Sequence, residues 1–357
     1  MRRNWRAILG FAITAFLLWW VLKEVSLSEL WAEIQAANFW LLGLAVAIGY
    51  SNYFFRSMRW GILLRPICSG TSFRSRFEAM NIGFMATNLI PGRVGEFVRP
   101  YALSRMEAVS VSAAFGSIVV ERFLDILTIA ALLFVAIAAP EFPENPVVWD
   151  LSLGVWVRGI LSLLGALLLL MVLLLVFPRP LVRVAERVAH FLPEKAALLV
   201  VDVLEAFLDG LRVFQSPALL VKAAVWSVAI WLCQSLSFWV AFLAFGIHVG
   251  FDVALFVNAA VALAVAVPAA PGFIGTFQLG VTTGLGVYGV PEAAATALSF
   301  GFHLGGFIPV TLIGLFYAWR LGLSFGEVGK SEIRVEGAVE EAHPELTRSP
   351  RRAGAAD

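Results

Sequence analysis

Residues 91–97 read PGRVGEF and residues 271–277 read PGFIGTF, two copies of the pattern P-G-x-x-G-x-F. Proline and glycine break helices, and here they recur at matched offsets inside long apolar stretches, 78–100 and 253–288. One copy carries Arg93 and Glu96, whereas the other carries no charge. The surrounding chain explains why such breaks matter. Its 357 residues are 60% hydrophobic and only 14% charged, with a mean hydropathy of +0.85. Soluble domains carry about 25% charged residues, so this composition describes a membrane protein. The formal net charge of +1 identifies no partner, and nothing in the sequence points to a nucleic acid.

About 20 apolar residues cross the hydrocarbon core as a helix. Runs of that kind predict six full spans, near 6–23, 40–64, 112–139, 155–177, 217–246 and 294–320. The basic head and apolar run at the N-terminus resemble a signal peptide. The bulky Trp19 and Trp20 and the lack of a small-x-small cleavage site favour an uncleaved first span.

Loop charges orient the spans, because Lys and Arg concentrate on the cytoplasmic side. Arg2, Arg3 and Arg6 place the N-terminus inside, and the acidic loop 24–38 lies outside. Arg65, Arg74 and Arg76 precede the first interrupted stretch, and Arg99 and Arg105 close it. That stretch therefore enters and leaves from the cytoplasm. Loop 140–150, with Glu141, Glu144 and Asp150, lies outside, while Arg179, Arg183 and Arg187 return the chain to the inside. The tail beginning at Arg320 is also cytoplasmic, so 253–288 must enter and leave from the outside.

The expected fold is thus an all-α polytopic membrane protein with six full spans and two oppositely oriented re-entrant helical hairpins forming an inverted repeat. Residues 1–325 make a single membrane domain with repeat halves at about 40–139 and 217–320. Apolar residues at helical spacing (Val184, Val188, Phe191; Leu204, Phe207, Leu208, Leu211) among mixed charges predict amphipathic helices in a cytoplasmic linker at about 178–216. The polar composition of 326–357 predicts a disordered cytoplasmic tail.

Ionisable residues at membrane depth are costly and mark candidate sites. They gather around the first hairpin as Glu78, Arg93, Glu96, Arg99 and Arg105, followed by Glu121, Arg122 and Asp125. Glu121 and Asp125 share a helix face. They could hold Arg93 or Arg99 while Arg122 answers Glu96. A structural ion-pair network is one reading of this set. An anion site is the other. Broken helix ends expose N–H groups, arginine forks match phosphate oxygens, and Gly92 and Gly95 admit a ligand to the backbone. Asn81 and Asn88 add neutral donors, whereas Arg56 and Arg59 read as snorkelling topology anchors.

Other patterns carry no chemistry. Cys68 and Cys233 are isolated apolar filler, and His190, His248, His303 and His343 lack metal-ligand spacing. His303 alone lies in a span, where a hydrogen-bonded packing role is expected. GLGVYG at 284–289 lacks the βαβ setting of a dinucleotide site. Gly280/Gly284 and Gly301/Gly305 read as close-packing positions and leave a homo-oligomer open. No cofactor, metal or ATP-binding signature occurs.

In order and character, FFRSMRWGILLRP (54–66), NIGFMATNLIPGRVGEFVRPYALSR (81–105), ERFLDIL (121–127) and PAAPGFIGTFQ (268–278) resemble the flippase-like membrane family typified by the transmembrane region of lysylphosphatidylglycerol synthases. The resemblance spans roughly 5–325. Its most specific block maps onto Asn88, Pro91, Arg93, Gly95, Glu96 and Arg99. A second element maps onto Glu121, Arg122 and Asp125, and the other hairpin onto Pro271, Gly272 and Gly275. The resemblance implies a bacterial or archaeal inner-membrane protein that moves a lipid, or its headgroup, between leaflets, and the arginine-bearing break points to an anionic phospholipid or a polyprenyl-phosphate-linked lipid as the cargo. Only a short polar tail occupies the place of the synthases' aminoacyl-transfer domain, so lipid aminoacylation is not expected. Two further readings are an enzyme or accessory protein acting on lipid-linked phosphate, with Glu96, Glu121 or Asp125 as base, and a non-transporting scaffold.

Overall fold

The computed structural model describes residues 5–23, 25–68, 70–90, 94–144, 146–148, 151–152, scattered positions between 154 and 169, and then 216–266 and 271–323. The tip residues Pro91, Gly92 and Arg93 lie outside this set, as do nearly all of the expected span at 155–177, the linker at 178–215 and the tail at 326–357.

Ten helices are considered among the described residues. They are α1 (Trp5–Leu22), α2 (Leu27–Ala36), α3 (Phe39–Leu64), α4 (Phe73–Leu89), α5 (Gly95–Ser104), α6 (Val111–Ile137), α7 (Pro217–Ala244), α8 (Phe251–Ala264), α9 (Thr276–Gly286) and α10 (Glu292–Arg320). The all-α expectation needs one amendment, a two-residue antiparallel pairing of Val147–Val148 with Leu151–Ser152. By length and composition α7 and α10 can each cross a membrane, and α2 with α3, bent by 82°, can form a third crossing.

Local chemistry starts these helices where the sequence changes character. Ser26 Oγ accepts from Glu29 N at α2, and Asn38 Oδ1 accepts from Trp40 N and Leu41 N at α3. Ser72 Oγ and Ser110 Oγ do the same for α4 and α6. Each cap satisfies a backbone donor that the first turn leaves unpaired. Pro217 opens α7 at a position where a missing N–H costs nothing.

The central packing is α3 against α7, antiparallel along most of their length. Ser237 Oγ donates to Ala45 O at 2.7 Å, Asn52 Nδ2 to Gln234 Oε1 at 3.1 Å, and Arg59 Nη1 to Ser227 Oγ at 2.8 Å. Gly49 lets Ser237 approach. Small and polar residues are what bring helices together where the solvent is itself apolar.

Each interrupted stretch folds into a helical hairpin. In the first, α4 and α5 run antiparallel so closely that a Cβ at Gly95 would overlap Gly83 O and Thr87 Oγ1. In the second, a Cβ at Gly280 would come within 2.7 Å of Val261 Cα, and one at Gly284 within 3.2 Å of Val257 Cα. The Gly280/Gly284 and Gly301/Gly305 patches are therefore occupied within the chain, by α8 in the first case and by Phe245 and Val46 in the second. The second break is a 3-10 turn at Pro271–Phe273. Gly272 sits there at φ +69°, a backbone state that glycine adopts without a Cβ penalty.

The second break packs against the end of α4. A Cβ on Gly272 would lie 3.4 Å from Asn88 O at the end of α4, and the Pro271–Phe273 turn packs against α4. Exchanging α3, α4, α5 and α6 for α7, α8, α9 and α10 reproduces the packing. α3 touches α7; α4 touches α10 as α8 touches α6; α5 touches α6 as α9 touches α10. Outside this arrangement α1 braces the second break, where Thr14 Oγ1 donates to Ile274 O. On α10, Leu304, Ile308, Leu312 and Phe316 recur every fourth residue and are all exposed. A stripe of that size is a liability in water and ordinary against hydrocarbon.

Candidate functional site

The charged residues of the first half converge on one buried cluster. Arg99 on α5 makes a two-pronged contact with Glu121 on α6, Nη1 to Oε1 at 2.9 Å and Nη2 to Oε2 at 2.7 Å. One helical turn later Asp125 Oδ1 accepts from Arg59 Nη1 at 2.6 Å and from Trp231 Nε1 at 3.0 Å. Arg59 Nη2 also lies 3.5 Å from Glu121. Arg99 rests over the Trp60 ring at 4.0 Å, and Trp60 Nε1 donates to Ser117 Oγ. Burial of so many charges is tolerable because fork-shaped donors fill both oxygens of Glu121 and one of Asp125, with guanidinium charge beside the other.

One expectation changes here. Arg59 is 0% exposed and bonded to α6 and α7, so it is a core cation and not a snorkelling anchor. Arg122 pairs with Glu96 at 4.0 Å through its Nε, and its Nη2 also donates to Glu121 Oε1 at 2.8 Å. A long flexible side chain can reach back along its own helix even though its Cα vector points away. Of the two arginines expected to meet the acids, Arg99 does so and Arg93 lies outside the described residues. Glu78 pairs elsewhere, with Arg74 and Arg320, and Arg105 contacts Tyr101 OH.

Beside this cluster lies a cavity of about 270 Å³ between the halves, bounded by α3, α4, α7, α8, α9, α10 and the Pro271–Phe273 turn. Arg56 connects the two. It lines the cavity, its side chain is 11% exposed, and its nearest carboxylate oxygen, Asp125 Oδ2, is 3.8 Å away. Among the described residues its guanidinium makes no hydrogen bond. The rings of Phe84 and Trp231 stand 5.8 and 5.7 Å from it, within the range at which an aromatic face attracts a cation. Across the cluster, the guanidinium groups of Arg56, Arg59, Arg99 and Arg122 face three carboxylates, Glu96, Glu121 and Asp125. Among these described residues the guanidinium groups outnumber the carboxylates by one, and Arg56 is the one that lines the cavity.

The remaining wall is neutral. Asn88 Nδ2 donates to Thr311 Oγ1 at 2.9 Å, so Asn88 lies on the cavity as a half-committed amide. In the second hairpin Gly275 N donates to Gln278 Oε1 at 2.8 Å. That fixes Gln278 Nε2 as the donor to His303 Nδ1, 3.1 Å away. His303 also stacks on Phe277, in keeping with the packing role expected of it. Pro271, Gly272 and Gly275 thus shape the break, and Gly95 performs the same service in the first hairpin.

Sequence reasoning passed over Trp231 and read Arg56 and Arg59 as anchors. A signal existed, since Asn52, Arg56 and Arg59 recur at helical spacing and form a polar stripe on α3.

A family described as "Lysylphosphatidylglycerol synthase TM region" matches residues 7–314. The chain is also similar to a protein described as "UPF0104 membrane protein" from Methanothermobacter thermautotrophicus, with 23% identity over 337 residues, covering 89% of this chain and 95% of the relative. No solved structure matches the chain.

Proposed function

Given that the chain belongs to the family of the lysylphosphatidylglycerol synthase transmembrane region, and is membrane-integral, we propose that it is a lipid translocase. Its cargo is an anionic phospholipid or a polyprenyl-phosphate-linked lipid moved between the leaflets of the cytoplasmic membrane. The observation that carries this reading is Arg56, a cation that makes no hydrogen bond among the described residues, at the wall of a cavity lined by Asn88 near the end of α4 and by the Pro271–Phe273 turn.

The exchange of packing partners between halves supports an inverted repeat, with the first hairpin re-entrant from the cytoplasm and the second from outside. Broken helices at the interface of inverted repeats are where transport sites form. Both termini are then cytoplasmic. In this reading Arg56 receives the headgroup phosphate, and Arg59, Arg99, Glu121 and Asp125 hold the frame that positions it. Asn88 contacts the headgroup from α4, while Glu96 and Arg122, both half-exposed, line the approach.

A role for Glu121 as a general base is disfavoured because both of its oxygens already accept from guanidinium groups. The decisive experiment places purified protein in vesicles and follows a fluorescent anionic lipid with a membrane-impermeant quencher. The expected result is rapid inter-leaflet exchange, slowed about tenfold or more by Arg56→Gln, the size of effect that follows from one lost charge-assisted contact. Exchange no faster than in protein-free vesicles rejects the translocase. Exchange unaffected by Arg56→Gln rejects Arg56 as its phosphate contact.

A further inference from the structure

We propose that the cavity selects a phosphodiester lipid whose headgroup is uncharged and hydroxylated, and that it discriminates against lipids whose headgroup carries an amine. The inference rests on the translocase reading and names its cargo class. It follows from what the cavity wall offers a ligand.

Among the described residues the wall presents one fixed charge, the guanidinium of Arg56, enough for one phosphodiester. Among those residues it presents no carboxylate. Asp125, the acid nearest Arg56, has one oxygen filled by Arg59 and Trp231 and the other facing Arg56 and Arg122. An ammonium group in this space would lose its water, gain no counter-charge and share the cavity with a guanidinium. That combination is strongly unfavourable.

Neutral polar groups, by contrast, are in good supply and only half used. Gln234 Oε1 accepts from Asn52, leaving its amide NH₂ as a donor. Asn258 Nδ2 donates to Ser235 Oγ at 2.9 Å, leaving Oδ1 as an acceptor. Asn88 Oδ1 is an acceptor for the same reason. Two acceptors and a donor suit hydroxyl groups, which both give and take hydrogen bonds. The volume of about 270 Å³ lies just below the usual range for ligand pockets of 300–1,000 Å³. A headgroup fits, and the acyl or prenyl tails remain in the bilayer.

The test uses the full chain in detergent with equimolar phosphatidylglycerol, phosphatidylethanolamine and lysylphosphatidylglycerol, with retained lipid read by native mass spectrometry. A second arm replaces phosphatidylglycerol with a polyprenyl-phosphate sugar, which separates the two sources of the same headgroup chemistry. Retention of a hydroxylated lipid at about tenfold over either amine lipid is expected, with loss of all retention in Arg56→Gln. Equal retention, or preference for an amine lipid, overturns the proposal. Gln234→Glu supplies the missing counter-charge and should raise amine-lipid retention, a gain that misfolding cannot imitate; no gain also counts against it. Vesicles run in parallel keep the two readings apart. Selective retention without exchange rejects the translocase and leaves the headgroup class standing, whereas exchange without selectivity does the reverse.

Discussion

The two hairpins share a backbone plan and differ in how they are held. In the first, the tie between the second arm and the following helix is ionic, Arg99 to Glu121, and it extends through Arg59 and Asp125 to α7. In the second, the corresponding tie is neutral, with Gln278 joining Gly275 N to His303. Both close a break in an apolar setting. Among the described residues only the ionic one is bordered by a cation in excess of its carboxylates, Arg56. The neutral tie satisfies polar groups without a net charge, so under the proposed function the second hairpin shapes the cavity without competing for the anion.

Three substitutions probe this difference, in falling order of effect. Glu121→Ala strips the buried Arg99 and Arg59 of their shared partner, and should destabilise the protein by about 3–5 kcal/mol, the usual result of orphaning a buried charge. Thermal unfolding in detergent measures it, and a loss below about 1 kcal/mol would show that water or lipid reaches the cluster. Gln278→Ala leaves only neutral groups unpaired, and should cost about 1–3 kcal/mol. If its effect equals that of Glu121→Ala, the ionic and neutral ties do not differ as described.

The smallest effect concerns pH at the open end of the first hairpin, away from its tip. Glu107, in the loop between α5 and α6, accepts from Ser72 N at 3.0 Å. Partial burial alone would push its carboxyl up, but bonds from Ser75 and Ser72 and the charge of Arg76 hold it below the usual range. A depressed folded value means the stabilisation is present above the unfolded value, about 4.3, and is lost as pH falls through the folded one. The wild type should therefore exceed Glu107→Gln in stability at pH 7 by less than about 1 kcal/mol, since solvent still reaches and screens this half-buried group. The gap should close below pH 4. The second hairpin's equivalent loop, 287–291, contains no carboxylate and should show no such dependence. A gap that persists in acid would mean that Glu107 acts through packing and not charge.

Much of the architecture was legible in order and spacing. Helices lie within two residues of the expected ends at α1, α3, α6, α7 and α10, because apolar run length and the hydroxyl and amide caps are local properties. The breaks at PGRVGEF and PGFIGTF were legible for the same reason. The candidate site was legible only in part. Glu121, Asp125 and Arg99 stood out as charges in apolar runs, and Glu121 does hold Arg99. Arg56 and Arg59 did not stand out, because an arginine near the end of a span has the same sequence signature whether it reaches water or a buried acid.

By itself, then, the sequence determined an apolar chain with two matched breaks, loop charges of alternating sign and one charged hairpin. These follow from the period of a helix, the thickness of a bilayer and the backbone demands of proline and glycine, all of which act over a few residues. Only the tertiary structure decided that Arg59 faces Asp125 across 66 positions of chain, that Asn88 and Gly272 touch, and that Arg56 is left facing the cavity. Charge pairing is settled by distance in space. Helix packing sets that distance through side-chain shapes contributed by segments far apart in the chain.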